Sequence, residues 1–259
     1  MSTLLHITIL ISISQNICSE ISFFKKYLLG ISMKKAVLAV TLSSSFIAPA
    51  FSADSLNPFA DEKSGFYLGL GAGAADYNDS YSEFTKEQTT YGSYEYTTRD
   101  GAVNLFAGYR VNKYFGLEIN YTDLGSPDAE WKSPSGSERD DIENEIKGYG
   151  IKAVGFYPIN KNIELKATAG VMKWEVEEDY SFTNSVIPSE NKNNSHSEKG
   201  TSLTFGFGAN YNLTENVAFG LQWERINDVG EKYDENKTDT LRFGESDIDL
   251  YTLSVQYKF

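Results

Sequence analysis

The sequence predicts an all-β fold, an eight-stranded antiparallel up-and-down transmembrane β-barrel. Three observations support this prediction. Apolar and polar residues alternate with a period of two in eight segments, which is typical of strands with one apolar face. The connections between these segments alternate between long polar stretches and short turns. Aromatic residues gather near both ends of the segments, as expected where a membrane wall meets water on two sides.

The final segment, Asp247–Phe259, shows the alternation clearly. Its apolar set is Tyr251, Leu253, Val255, Tyr257 and Phe259, and its polar set is Thr252, Ser254, Gln256 and Lys258. A strand of this length can cross a bilayer at a tilt. Because backbone polar groups in lipid must be paired, we expect this strand to close the barrel by pairing with Phe66–Ala74.

Seven further segments complete the predicted barrel. Together with the last one, they cover about residues 65–75, 100–111, 114–124, 145–157, 163–175, 202–211, 217–224 and 247–259. The apolar parity of each strand is expected to face lipid. The other parity is rich in glycine and polar residues, which suits a narrow and crowded barrel interior.

The connections between these segments predict which end of the barrel faces outward. Four long polar stretches lie at about residues 76–98, 125–143, 177–199 and 228–244, and the three other connections are short. Outer-membrane barrels have an even strand number, short periplasmic turns and long outer loops. With the N-terminus on the periplasmic side, the sequence therefore predicts four long extracellular loops and three short periplasmic turns.

Aromatic side chains are predicted to form two girdles at the membrane interfaces. The set near the short turns is Tyr109, Tyr114, Phe115, Tyr157, Tyr211, Tyr257 and Phe259. The set toward the long loops is Tyr121, Trp174, Trp223 and Tyr251.

A secretory signal peptide is predicted at residues 33–53. Met33-Lys34-Lys35 is followed by an apolar run, Ala36–Ile47, and by small residues up to Ala53. Residues 1–32, which include the only cysteine, Cys18, are either a gene-model extension or part of an extended signal. Residues 54–64 are then expected to form a short periplasmic linker, and residues 65–259 the outer-membrane β-barrel.

The charge of the predicted mature chain is strongly negative. Residues 1–53 hold four of the 23 Lys and Arg residues and one of the 36 Asp and Glu residues, so their removal changes the formal charge from −13 to −16. Phosphate binding needs a basic surface, so nucleic acid is excluded as a natural partner. The main alternative fold is a soluble eight-stranded carrier barrel of the lipocalin type, which would place its apolar set inside.

Several segments resemble the transmembrane domain of the OmpA family. They are Tyr109–Gly125, Gly155–Asn162, Ala169–Trp174, Asn227–Gly230 and the terminal Tyr257-Lys258-Phe259, in the order and spacing of that family. The resemblance implies location in the cell outer membrane, contact with outer-membrane lipids and lipopolysaccharide, and insertion by the outer-membrane assembly machinery. That machinery would read the last strand, with Phe259 and Tyr257 as its signal. The family's peptidoglycan-binding domain is expected to be absent, because the sequence ends with the barrel.

The same resemblance implies a charge network inside the lumen. The family's acid on the third strand matches Glu118, but its lysine on the fourth strand aligns with Val154 and its acid on the seventh with Gln222. Strand parity instead places Arg110, Lys152, Glu164, Lys166 and Glu224 on the inward face. Because a buried unpaired carboxylate is costly, we expect Lys152 or Lys166 to pair with Glu118 and keep the lumen plugged. The alternative is that these side chains simply contact lumen water.

No catalytic, cofactor-binding or metal-binding set is predicted. The only histidine after residue 53 is His196, which lies in a polar stretch predicted to be a loop, where it is expected to be solvated. The Asp- and Glu-rich loops show no calcium-loop spacing. Three hypotheses of function remain: a structural and surface-interaction barrel whose outer loops contact a host or phage surface, a narrow passive porin, and, less favoured, a lipid-modifying enzyme.

Overall fold

A computed structural model of the chain describes residues 61–78, 92–230 and 243–259. All of these residues belong to one compact unit, Ala50–Phe259. The predicted signal peptide, the residues before it and most of the predicted linker lie outside the described residues. So do residues 79–91 and 231–242 of two predicted loops.

The described residues form ten β-strands. Their bounds are β1 Gly65–Asn78, β2 Ser93–Tyr96, β3 Arg99–Arg110, β4 Phe115–Asp123, β5 Asp128–Lys132, β6 Glu138–Pro158, β7 Ile163–Asn184, β8 Lys192–Asn212, β9 Val217–Val229 and β10 Ser246–Lys258. A short 3₁₀ helix, Pro188–Glu190, lies between β7 and β8. No helix in the described ranges is long and apolar enough to span a bilayer.

Eight of these strands form a closed antiparallel ring. Neighbours around it are β1, β3, β4, β6, β7, β8, β9 and β10, and β10 pairs again with β1. The closing register places Leu70 opposite Val255 and Ala74 opposite Tyr251. The predicted eight-stranded barrel and its closure by the last strand are therefore confirmed.

The predicted long loops contain more strand than the sequence pattern indicated. Two of them hold the short strands β2 and β5, which pair with each other and extend the sheet from β6. The predicted loop 177–199 is wrong, because β7 continues to Asn184 and β8 begins at Lys192. The upper part of β8 carries polar residues on both faces, so it lacks the alternation that marks a strand in sequence. In the upper part of β7 the alternation persists, but the apolar set faces inward.

The outward face of the barrel carries a broad apolar band. On three adjacent strands its upper limit is a register row, Ile151 on β6, Val171 on β7 and Leu203 on β8, which are 51%, 41% and 67% exposed. Exposed apolar side chains in such numbers indicate a membrane-facing wall rather than a soluble surface. The soluble carrier with an apolar face turned inward is therefore excluded along this band.

The strands β6, β7 and β8 continue well beyond this band. They contain 21, 22 and 21 residues, whereas about 9–11 residues of tilted strand cross a bilayer. Above the band the outward residues of β7 change from Ala169 and Val171 to Glu175, Glu177 and Asp179. We call the part of β2, β5, β6, β7 and β8 beyond the apolar band the protruding sheet.

Candidate functional site: the lumen and the protruding sheet

Six charged side chains inside the barrel form three ion pairs. Lys152 Nζ lies 2.6 Å from Glu224 Oε2, and Lys166 Nζ lies 2.7 Å from Glu118 Oε2. The third pair joins Arg110 and Glu164. All six side chains are buried, and they are the six residues that strand parity placed on the inward face.

Glu118 on β4 is held by groups from two other strands. Lys166 on β7 and the hydroxyl of Tyr67 on β1 both donate to its Oε2 atom, the latter at 3.1 Å. Lys152 lies directly opposite Glu118 in the register of β4 and β6, but its ammonium group bonds to Glu224. Of the two cations expected to pair with Glu118, the structure therefore pairs it with Lys166.

The second ion pair, Lys152–Glu224, lies close to Val154 and Gln222, the two positions at which the family resemblance implies charges. Lys152 precedes Val154 by two residues on β6, and Glu224 follows Gln222 by two residues on β9. Strand β6 runs from the long-loop end to the short-turn end, whereas β9 runs in the opposite direction. Both shifts are therefore one inward position toward the long-loop end. The Lys152–Glu224 pair therefore lies one inward position closer to the long-loop end than Val154 and Gln222. Gln222 Nε2 also donates to Glu224 Oε2 at 3.1 Å.

Arg110 and Glu164 lie nearest to the short turns. The guanidinium group donates through both terminal nitrogens to the two oxygens of Glu164, and Nη2 also donates to the carbonyl of Lys113 at 3.1 Å. Its carbon atom lies 3.9 Å from the ring centre of Phe156, an arrangement typical of cation–π contact. The bidentate geometry fixes the orientation of the pair, which occupies the short-turn end of the lumen.

An apolar cluster fills the lumen at the level of the long loops. It includes Tyr77, Leu124, Ile146, Met172, Val176, Ile226, Ile248 and Phe243. Phe243, from the connection between β9 and β10, is fully buried and lies edge-on to Tyr77, with 6.2 Å between ring centres. Its backbone N–H donates to the buried carboxylate of Glu178 at 3.2 Å. Strand parity predicted only glycine and polar residues in the interior, and that prediction is wrong at this level.

Trp174 belongs to this inner cluster, and its prediction as a girdle residue is wrong. It is 6% exposed, and its indole N–H donates to Ser202 Oγ at 2.8 Å. A Cβ atom on Gly200 would lie only 2.1 Å from the Trp174 ring, so the ring lies flat over this glycine of β8. The inward parity of β7, which Glu164 and Lys166 share, would have predicted this position. Trp223, by contrast, lies on the outward face and stacks on Phe207.

His196 lies on β8, opposite Glu178 in the register of β7, so its prediction as a loop residue is wrong. Its Nε2 atom is 3.9 Å from Glu198 Oε2. Within residues 61–78, 92–230 and 243–259, no group of three or more His, Cys, Asp and Glu side chains is arranged to hold a metal ion.

Tyr257 and Phe259 lie on the outward face at the short-turn end. Their rings meet edge-on with 5.0 Å between centres, and about half of each side chain is exposed. The N–H of Phe259 donates to the carbonyl of Phe66 at 2.9 Å, which attaches the last residue to β1. Their predicted role in assembly remains a prediction.

A polar cleft of about 600 Å³ lies on the protruding sheet. Its acidic lining residues are Asp128, Glu130, Asp141, Glu143 and Asp179, with Arg139 among them. Arg139 lies within ion-pair distance of Glu130 and of Asp141, at 3.3 and 2.6 Å. The cleft is therefore a solvated and mainly acidic surface beyond the membrane band.

Residues 38–259 match the family model described as "Outer membrane protein beta-barrel domain". The chain belongs to this family. Outer membrane protein A of Salmonella typhi is 26% identical over 230 residues, which cover 88% of this chain and 56% of the relative. Outer membrane protein P5 of Haemophilus influenzae is 22% identical over 231 residues, covering 88% and 61%. The chain is thus an OmpA-like outer-membrane β-barrel that spans a little over half the length of these relatives.

Solved structures of similar fold include Neisserial surface protein A and the Ail protein of Yersinia pestis, the latter in complex with sucrose octasulfate. They are 14% and 15% identical in sequence, with TM-scores of 0.44 and 0.40. Each comparison covers 75% of this chain and 97% and 99% of the solved chain, respectively.

Proposed function

We propose that this protein is a closed, non-conducting barrel that anchors the protruding sheet and its outer loops for contact with other molecules at the cell surface. The observation that carries the proposal is the filling of the lumen at two levels. Three ion pairs occupy its lower and middle parts, and the apolar cluster around Phe243 and Met172 occupies its upper part. Eight-stranded barrels have interiors that side chains can fill.

The alternative function as a narrow passive porin conflicts with this filling. Removal of one charged side chain in the middle of the lumen leaves the apolar cluster above it intact. We therefore expect the protein and its Glu118→Ala variant both to lack measurable conductance in planar bilayers. A variant that also carries Trp174→Ala and Phe243→Ala removes material at both levels and is expected to conduct. Open-channel conductance of the unaltered protein would contradict the proposal.

The protruding sheet supports a role in surface contact because one edge of β8 is not paired with another strand in the part of the chain that the structure describes. Residues Lys192–Ser195 and Ser197–Thr201 of β8 pair with β7 on one side, and β9, the described strand on the other side of β8, joins only from Thr204 onward. Such an edge is a template for an added strand from another polypeptide.

The surface role can be tested by shortening the protruding sheet. Replacement of residues 177–197 by an Asn-Gly turn would join Val176 to Glu198, which are paired in the register of β7 and β8. Adherence of cells that produce this variant to an epithelial monolayer should fall to the level of the vector control. A matched control replaces Asn160-Lys161 in a short turn and should adhere normally. Normal adherence of the shortened, folded variant would contradict the proposed role.

The proposed role involves no chemistry on lipid. We therefore expect the mass spectrum of lipid A to be the same in cells with and without the protein. A new acylation or deacylation product that depends on the protein would favour the enzyme hypothesis instead.

A further inference from the structure

The charges on the outward face of β6, β7 and β8 follow the register rows above the apolar band. The first row is Tyr149, Lys173 and Thr201, and the second is Lys147, Glu175 and Lys199. The next two rows are Glu145, Glu177 and Ser197, followed by Glu143, Asp179 and Ser195. Successive rows lie about 7 Å apart along the strands. Within these four rows, basic residues occur only in the two rows next to the membrane.

The change of sign between these rows is abrupt. The first two rows carry three lysines and one glutamate, a net charge of +2, and the next two carry four carboxylates, a net charge of −4. We call Lys147, Lys173 and Lys199 the lysine cluster. It stands out because the predicted mature chain is strongly acidic. A ligand attracted to these rows must be anionic, and the carboxylates above would oppose its displacement away from the membrane.

Existing ion pairs leave part of this positive charge available. Lys199 Nζ lies 2.7 Å from Glu175, and Lys147 Nζ lies 3.0 Å from Glu145. Lys173 is exposed and forms no ion pair with any residue that the structure describes. Lys173 can thus contact a ligand directly. Lys147 and Lys199 are in surface ion pairs, which contribute little to stability and so do not prevent these lysines from contacting a ligand.

The position of the cluster selects a lipid ligand. It directly follows the row of Ile151, Val171 and Leu203, the upper limit of the lipid-facing band. Head groups of the outer leaflet lie at this level, while their acyl chains lie against the apolar wall below. Lys147 and Lys199 are two strands apart, or roughly 10 Å, which is wide for one phosphate and suits a larger head group with more than one.

We propose that the lysine cluster binds a glycolipid of the outer leaflet whose saccharide head carries phosphates. The ammonium groups of Lys147, Lys173 and Lys199 would contact the phosphates, as lysine does at other phosphate sites. The acyl chains would lie against Ile151, Val171 and Leu203. This site concerns the membrane wall and is independent of the sealed lumen and of the loop contacts proposed above.

Native mass spectrometry of the purified barrel in detergent tests this site with a defined probe, diphosphorylated lipid A. The variant Lys147→Gln/Lys173→Gln/Lys199→Gln should bind this probe with an affinity at least about tenfold lower than that of the parent, since each lysine near a lipid surface contributes a severalfold effect. Binding of the same lipid without its phosphates should be unaffected. The matched control Lys63→Gln/Lys113→Gln/Lys161→Gln removes three lysines at the opposite end and should bind like the parent.

The single variant Lys173→Gln leaves no carboxylate without its partner and keeps the test valid if the triple variant does not fold. It should also weaken binding of diphosphorylated lipid A. Equal binding by parent and both cluster variants would overturn the proposal, as would an equal loss in the control variant. If the cluster variants lost binding of phosphatidylglycerol to the same extent as binding of diphosphorylated lipid A, the assignment to a phosphorylated glycolipid would be overturned.

Discussion

Lys152 on β6 and Glu224 on β9 form an ion pair across the lumen, although the register places Lys152 directly opposite a different carboxylate, Glu118. Both side chains of the pair are 1% exposed. Glu118 takes its cation from Lys166 on β7 instead. Four strands are thereby connected through side chains as well as through backbone hydrogen bonds.

Removal of one member of the Lys152–Glu224 pair should be strongly destabilising. A buried charge without its partner costs about 3–5 kcal/mol, whereas replacement of both members by apolar residues is often nearly neutral. We expect Lys152→Met and Glu224→Leu each to lower the free energy of unfolding in urea and lipid vesicles by an amount of this order. The double variant should lose much less than the sum of the two.

The exposed pair Lys199–Glu175 provides the control for this measurement. Its Nζ–Oε1 distance of 2.7 Å is similar, but both side chains contact solvent. Lys199→Met should change the free energy of unfolding by less than about 1 kcal/mol. Additive losses in the Lys152 and Glu224 variants would show that the two residues do not stabilise the barrel as a pair.

Gly108 on β3 should not tolerate a larger side chain. A Cβ atom there would lie 2.2 Å from the ring of Tyr67, which is fixed between Phe106, Phe156 and Glu118. Gly108→Ala is expected to destabilise the barrel by about 1–3 kcal/mol through overpacking. Gly101 on the same strand has no atom within 4 Å of its Cβ position, so Gly101→Ala should be neutral. The two variants can be compared by the temperature at which each loses the gel mobility of the folded barrel.

The opposite orientations of Trp174 and Trp223 can be measured by fluorescence quenching. A variant that keeps only Trp223 should be quenched by brominated phospholipid acyl chains, because this side chain lies on the outward face beside Phe207. A variant that keeps only Trp174 should be quenched little, because its ring is enclosed in the lumen over Gly200. Equal quenching of the two variants would contradict the inward position of Trp174.

The outward aromatic pair on the last strand should matter more for assembly than for stability. If the assembly machinery reads the end of this strand, as the family resemblance implies, Tyr257→Ala/Phe259→Ala should lower the amount of protein in the outer membrane severalfold. The unfolding midpoint in detergent should change little, because both rings contact solvent or lipid rather than the lumen. Tyr211→Ala/Phe219→Ala removes exposed aromatic residues on β8 and β9 and serves as the control. Normal membrane levels of the Tyr257 and Phe259 variant would contradict an assembly role.

The inner charges illustrate what strand parity can and cannot predict. Parity correctly placed Arg110, Glu118, Lys152, Glu164, Lys166 and Glu224 on the inward face, because successive residues of a strand point to opposite sides. It left Lys152 and Lys166 as equal candidates for Glu118. The partners depend on how far each side chain reaches across the lumen. The Lys152 side chain lies close against Gly170 of β7, where a Cβ atom would lie 2.9 Å from its Cγ atom.

The apolar cluster and the protruding sheet show where the sequence pattern became uninformative. Beyond the membrane band the outward face meets water and becomes polar, while inward positions such as Met172 and Val176 become apolar. The pattern therefore inverts within one continuous strand, and an outward aromatic belt was assumed where Trp174 in fact turns inward. In the upper part of β8 both faces are polar, so the strand was interpreted as a loop.

The membrane-spanning strands, their order, the short turns and the closure of the barrel can be read from the residue pattern alone, because lipid requires every strand to be paired and to carry an apolar outward face. The folded barrel was needed to show which charges pair, that a second, apolar layer fills the lumen, and that three lysines align above the apolar band. These features depend on register between strands distant in sequence. Register is a property of the closed sheet and not of any single strand.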